Sequence, residues 1–146
     1  MTARKTKLGY HFAILHRLII ALCKRQIMDL GIQASHIPFI ASLLNLTEPV
    51  TQDELSTALV IDKAATARAL DQLERSGFVH RKVNPDNRRQ KLVTATPKAR
   101  DIEETFLSIL ERSSQEMTKD FSQEELDRLL DLLNRMITNA TAAIHA

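Results

Sequence analysis

The chain has 146 residues, 44% of them hydrophobic and 26% charged, with a formal net charge of +2, the size of one compact domain or of one subunit of an intertwined oligomer. Three glycines, four prolines and no repetitive polar tract exclude a long disordered linker. The single cysteine, Cys23, cannot form an internal disulfide, so nothing in the chain requires an oxidising compartment.

From Leu8 to Leu30 the residues Leu8, Phe12, Leu15, Ile19 and Leu22 recur at helical spacing. Ile14, Leu18 and Ile20 carry the apolar surface nearly all the way round, which calls for cover on several sides, as between two subunits. The run FAILHRLIIALC is interrupted by His16 and Arg17 and is too short to span a bilayer. MTARKTK lacks the pattern of a signal peptide, so a cytoplasmic protein with no membrane partner is expected. Gly31 ends this helix. Ser35 is the expected cap of a second one, carrying Ile37, Ile40, Leu43 and Leu44, with Pro38 tolerated in its first turn.

VTQDEL pairs Thr51 with Glu54 as a capping box, flanked by the staple residues Val50 and Leu55, and FSQEEL repeats the device with Ser122, Glu125, Phe121 and Leu126. After Thr51 a short helix runs to about Leu59, Val60 and Ile61 bend, and Asp62 caps a helix that ends at Ser76-Gly77. Thr66, Leu70 and Leu73 share its inner face, whereas Ala64, Ala67, Arg68, Asp71 and Arg75 point away. Two short helices joined by a tight bend form a helix-turn-helix. FVHRKV then alternates, with Val79, Arg81 and Val83 on one side, and QKLVTAT is its expected partner strand across NPDNR, a turn between strands. The hairpin is a wing. Pro97 opens a long helix to about Lys119. From Gln123 a last helix carries Leu126, Leu130, Leu133, Ile137, Ala140 and Ile144, the seam of a helix packed along another.

Charge is unevenly placed along this order. Residues 81–100 carry a balance of +6 and residues 101–146 a balance of −6, as a polyanion-binding middle and an acidic helical end would. The first turns of a helix laid in the major groove meet base edges. There Ala64 and Ala67 suit thymine methyls, Arg68 suits a guanine edge or a phosphate, and Lys63 sits beside free backbone donors that attract phosphate. At the hairpin tip Arg88 and Arg89 are placed for the neighbouring minor groove, whose negative potential favours arginine. Asp86 is read as an acceptor that holds one arginine in shape. The competing reading of the same elements is a winged helix that contacts protein.

The helix order, DKAATARALDQLERSGFVHR and the wing NPDNRRQKLVTATPKAR resemble the MarR family of bacterial and archaeal transcription regulators over almost the whole chain. The family's wing pattern of an aspartate and two arginines matches Asp86, Arg88 and Arg89. Its following Leu-Thr-x-x-Gly departs to Ala95, Thr96, Pro97, Lys98 and Ala99, a change in how the strand packs on the next helix. The resemblance implies a mainly α fold with a small β-hairpin wing, a winged helix-turn-helix flanked by long N- and C-terminal dimerisation helices. The divisions expected within one continuous domain are 1–34 for the first dimerisation helix, 35–97 for the DNA-binding lobe and 98–146 for the C-terminal helices. It further implies a homodimer on a palindromic operator in double-stranded DNA, acting as a repressor.

Members of this family commonly respond to small aromatic or anionic ligands, and by position Tyr10, His11, Arg17, His36 and Phe39 are the candidates to line such a cleft. Some use a redox cysteine on the first helix, which makes Cys23 the alternative sensor, although it sits in an apolar stretch. His11 and His16 lie about 140° apart on a helix, and His36, His80 and His145 lack partners at ligand spacing. No metal and no cofactor is expected. Without a phosphate-cradling glycine loop, a nucleophile turn or paired carboxylates, an enzyme is excluded as a reading.

Overall fold

A computed structural model describes residues 7–146. The order is α1 (Lys7–Asp29), a single 3-10 turn (Ala34–His36), α2 (Ile37–Leu44), β1 (Val50–Thr51), α3 (Gln52–Leu59), α4 (Lys63–Arg75), β2 (Val79–Asn84), β3 (Asn87–Ala95), α5 (Pro97–Asp101), α6 (Glu103–Thr118) and α7 (Gln123–Ile144). The chain divides into two compact units, one ending at Ser113 and the other spanning 114–146.

In the first unit, helix starts follow side-chain capping. Thr51 Oγ1 accepts the Glu54 N–H at 3.1 Å and Glu54 Oε2 accepts the Thr51 N–H at 3.0 Å, a complete capping box. Asp62 Oδ1 accepts the Ala65 N–H at 2.7 Å and so starts α4. Between them the turn is closed from both ends, because the Ile61 N–H donates to the Ser56 carbonyl and Ser56 Oγ donates to the Ile61 carbonyl. Val60, at φ 56°, takes the left-handed conformation that reverses the chain there, at a cost for a β-branched residue.

Two expectations about helices change. Ser35 does not cap α2, because the chain is already coiled at His36 (φ −86°, ψ −14°), and the extended backbone a capping residue needs lies further back, at Gln33 (φ −97°, ψ 159°), which opens the 3-10 turn. Gln33 instead donates its N–H to His36 Nδ1 at 3.2 Å. The helix expected to run unbroken from Pro97 is interrupted at Ile102, which ends α5 before α6 begins. Thr96 Oγ1 caps α5 by accepting the Ala99 N–H at 3.3 Å, while Ala99 is fully buried.

The antiparallel sheet has the order β1-β3-β2, with Val50 and Arg81 both opposite Val93. Thr51 therefore serves as both a helix cap and the end of a strand. The hairpin turn is only Pro85-Asp86, with Asn84 opposite Asn87. Two side-chain amides tighten it: Asn84 Oδ1 accepts the Asp86 N–H and Asn87 Oδ1 accepts the Arg89 N–H, each at 3.1 Å. Strand β3 thus begins at Asn87, earlier than the QKLVTAT run suggests, and Arg88 and Arg89 belong to the strand as it leaves the turn.

The core of this unit joins Cys23 and Ile27 of α1, Ile40 and Leu43 of α2, Leu55 of α3, Leu70 and Leu73 of α4, Phe78, Val93 of β3, and Phe106 and Ile109 of α6. In the second unit, Ser122 Oγ accepts the Glu125 N–H at 3.1 Å at the start of α7. No residue of α7 is buried. Leu70 is enclosed on all sides, so Leu70→Ala is expected to lower unfolding free energy by about 2–5 kcal/mol in a urea titration.

Candidate nucleic-acid interface

Helix α4 and the wing come together at a crevice of about 200 Å³ lined by Ala67 from α4, Gln52 and Asp53 from α3, and Arg81, Arg89 and Lys91 from the hairpin. Ala64 and Arg68 are exposed on α4, as is Lys63, whose Nζ lies 3.7 Å from Asp53 Oδ1. Arg88 and Arg89 are exposed beside the wing tip. Asp86 is also exposed and forms no ion pair with either arginine among the described residues; its contribution to the turn is its N–H bonded to Asn84.

The base of the wing is fixed by Arg81. Its side chain is only 8% exposed, and its alternation with buried Val79 directs it toward the helices rather than to solvent. Nη1 donates to Gln52 Oε1, and Nη2 donates to both Asp71 Oδ1 and Glu74 Oε1, each at 3.2 Å. Its backbone N–H donates to Glu74 Oε2 at 3.0 Å. Asp71 also pairs with Arg75 at 2.9 Å. The hydrogen bond from Arg81, aided by its charge, holds the Glu74 carboxyl below the usual glutamate range.

Other cations of residues 81–100 also have partners within the fold. Lys98 Nζ donates to the Ser76 carbonyl at 2.6 Å and sits 4.5 Å from the centre of the Phe78 ring. Arg100 donates to the carbonyls of Leu44 at 2.6 Å and Leu46 at 2.9 Å, closing the C-terminal end of α2. Lys82, Arg88, Arg89 and Lys91 remain exposed with no salt bridge among the described residues. The surface charge is therefore narrower than the sequence balance and is concentrated on the wing.

The expected ligand residues fall in different settings. Phe39 is buried and lines a hollow of about 380 Å³ with Ile61, Arg68, Ala69 and Gln72. His36 is buried with both ring nitrogens engaged, Nδ1 by the Gln33 N–H and Nε2 by Gln72 Oε1 at 2.9 Å. Tyr10, His11 and Arg17 are exposed along α1, where the Tyr10 and His11 rings meet edge to face. Cys23 is wholly buried and its Sγ lies 3.7 Å from the Ile20 carbonyl. Burial pushes its thiol pKa up, away from the thiolate that oxidants attack.

Sequence reading gave Arg81 no role of its own; the available signals were its alternation with Val79 and the acids Asp71 and Glu74, three apart on α4. Because Glu74 is held below the usual glutamate range in the fold, the unfolded chain binds its proton more readily. The resulting stabilisation is fully present above the ordinary glutamate pKa and is lost as pH falls through the lowered one. A series of denaturant melts at descending pH should show this component in the wild-type protein, reduced in Glu74→Gln.

Residues 40–91, the stretch from α2 through the wing, match the model of the MarR family. A MarR transcriptional regulator from Methanosarcina mazei Go1 superposes with a TM-score of 0.88 at 26% identity, covering 93% of this chain and 97% of that one. A mutant MarR from E. coli, crystallised with operator DNA, gives 0.81 at 26% identity, with 93% and 97% covered. The S. aureus MepR–DNA complex shares the fold at 0.81 and 20% identity, with 90% and 97% covered. The paired short helices, the hairpin behind them and these likenesses together give the chain the winged helix-turn-helix fold of MarR-family transcription regulators, with the family's own match running from α2 through the wing.

Proposed function

We propose that the chain acts as a homodimeric, operator-binding repressor whose grip on double-stranded DNA is altered by a small aromatic or anionic molecule. The observation that carries this reading is an exposed small-and-basic helix start beside four wing cations that have no salt bridge among the described residues. Ala64, Ala67 and Arg68 would face base edges, with Lys63 and the first backbone donors of α4 on phosphate. Arg88 and Arg89 would follow the minor groove beside it, with Asp86 shaping the turn that presents them. Such a protein works in the cytoplasm, where the DNA is.

Dimerisation is supported by apolar surface that stays exposed among the described residues. On α1, Leu8, Tyr10, Phe12, Leu15, Leu18 and Leu22 are exposed; on α7, Leu130, Ile137 and Ile144 are each more than half exposed. Stripes of this size mark interaction surfaces, and the spacing on α7 is that of a helix seated along another. Two lobes related by a twofold axis would meet a palindrome at successive turns. For the ligand, the hollow beside Phe39 and Arg68 is the best-supported place, with His36 behind it and Tyr10, His11 and Arg17 as further candidates. A molecule there shifts DNA binding only by favouring one arrangement of the lobe over another.

Binding to the duplex flanking the protein's own gene, followed by fluorescence anisotropy over a range of salt, tests the reading. In Arg88→Ala/Arg89→Ala the slope of log affinity against log salt should fall by about 0.9 for each phosphate no longer neutralised, with folding retained. Equal salt dependence in the two proteins, or no attraction to any duplex at low salt, would overturn it. Leu130→Asp/Ile137→Asp should shift sedimentation toward monomer and weaken operator binding in parallel; a variant that remains dimeric removes α7 from the interface.

A further inference from the structure

We propose that Arg81 is a positioning residue for DNA binding: it fixes the pose of the wing against α4, so that the wing arginines and the recognition helix engage adjoining grooves together. The inference rests on the DNA-binding reading above and concerns a residue that does not itself touch the duplex.

Three elements meet at this one side chain. Arg81 belongs to β2, Gln52 to α3, and Asp71 and Glu74 to α4, and the guanidinium reaches all three acceptors. Glu74 adds a second attachment through the main chain. Strand β2 lies at the edge of the sheet, and the Arg81 N–H on its free side is taken by Glu74 Oε2. One carboxylate thus holds both the backbone and the side chain of the same wing residue. The strand then runs from Arg81 to Asn84, about 10 Å at the usual rise, so a small tilt at the clamp is amplified at the tip that carries Arg88.

Stability alone does not account for this choice of residue. The side chain is 8% exposed, and its Nε is buried with no acceptor among the described residues. Replacing a whole buried ion pair or triad by apolar side chains is often neutral or stabilising, so the burial of this charge is weak evidence for a role in stability. A planar fork bonded to three acceptors selects a single orientation, which an apolar contact does not. Asp71 and Glu74 keep 46% and 39% of their side-chain surface, so water can solvate them when the arginine is removed.

A double-mutant cycle separates positioning from contact and from mere folding. Arg81→Met is expected to lower the thermal midpoint modestly, through the lost Glu74 pairing, yet remain folded at the assay temperature and weaken operator binding roughly tenfold or more, while speeding amide exchange along β2. Arg81→Lys, which retains charge without the fork, should recover only part of the loss. In the Arg88→Ala/Arg89→Ala background, Arg81→Met should cost much less affinity than in the wild-type protein, because the two arginines it positions are gone and only Lys82 and Lys91 remain on the wing. An equal additional loss in that background, with wild-type binding intact, overturns the clamp; wild-type affinity in Arg81→Met does the same. Failure of the wild-type protein to bind any duplex removes the DNA reading itself, and the proposal with it.

Discussion

A guanidinium with 8% of its side chain exposed persists in a fold only where acceptors surround it, and at Arg81 they come from α3 and α4. That requirement shapes the lobe. Asp71 and Glu74 occupy the outer side of α4, which would otherwise be free for solvent or for a partner. The wing is consequently attached to α4 and not only to the strand beneath it. Hydrophobic burial assembles the lobe through Leu55, Leu70, Leu73, Phe78 and Val93, but burial is non-directional. The orientation of the hairpin comes from the directional bonds.

The same partition decides where positive charge is available. Arg81, Lys98 and Arg100 are engaged by carboxylates or carbonyls of their own chain, whereas Lys82, Arg88, Arg89 and Lys91 face water. Summing cations along the sequence overstates the field and spreads it too widely. The folded distribution is a compact stripe on one hairpin next to the start of α4, where helix-end donors add to it. Asp53 is an exception: it stands in the same crevice as Arg89 and Lys91 and pairs with Lys63. Lys63 must exchange this partner for a phosphate if it is to contact DNA, which makes its net contribution smaller than that of a free lysine.

Local chemistry was readable from the sequence, and long-range chemistry was not. The box at Thr51 and the caps at Asp62 and Ser122 depend on residues three apart, so the sequence contains both partners side by side. The helix-turn-helix and hairpin followed from those starts and from alternation. Ser35 misled because a good capping residue needs extended backbone, and the 3-10 turn into α2 denies it. The interruption at Ile102 left no breaker in the sequence. NPDNR is rich in turn formers and predicts Arg88 in the turn with Arg89 beside it at the tip, yet the turn is only Pro85-Asp86 and both arginines lie in β3. Arg81 was opaque for a simpler reason: its partners are 7, 10 and 29 positions away, and no periodicity spans such gaps.

The uncovered apolar residues on α1 and α7 bear on the same question of orientation at a larger scale. Within one lobe, the clamp limits how the wing tilts against α4. In a dimer, the spacing of two lobes is set by whatever covers these helices, and a palindrome is read only when both levels agree. Both lobes would neutralise phosphates, so a dimer would double the ions released on binding and steepen the salt dependence. A ligand that altered only the spacing would forfeit one half-site while leaving the chemistry of each lobe intact. One that disturbed α4 near Arg68 and Gln72 would instead act within each lobe. The hollow beside Phe39 adjoins α4 directly, and His36 ties the α1–α2 connection to that helix through Gln72, so a molecule bound there would meet α4 before any surface between copies.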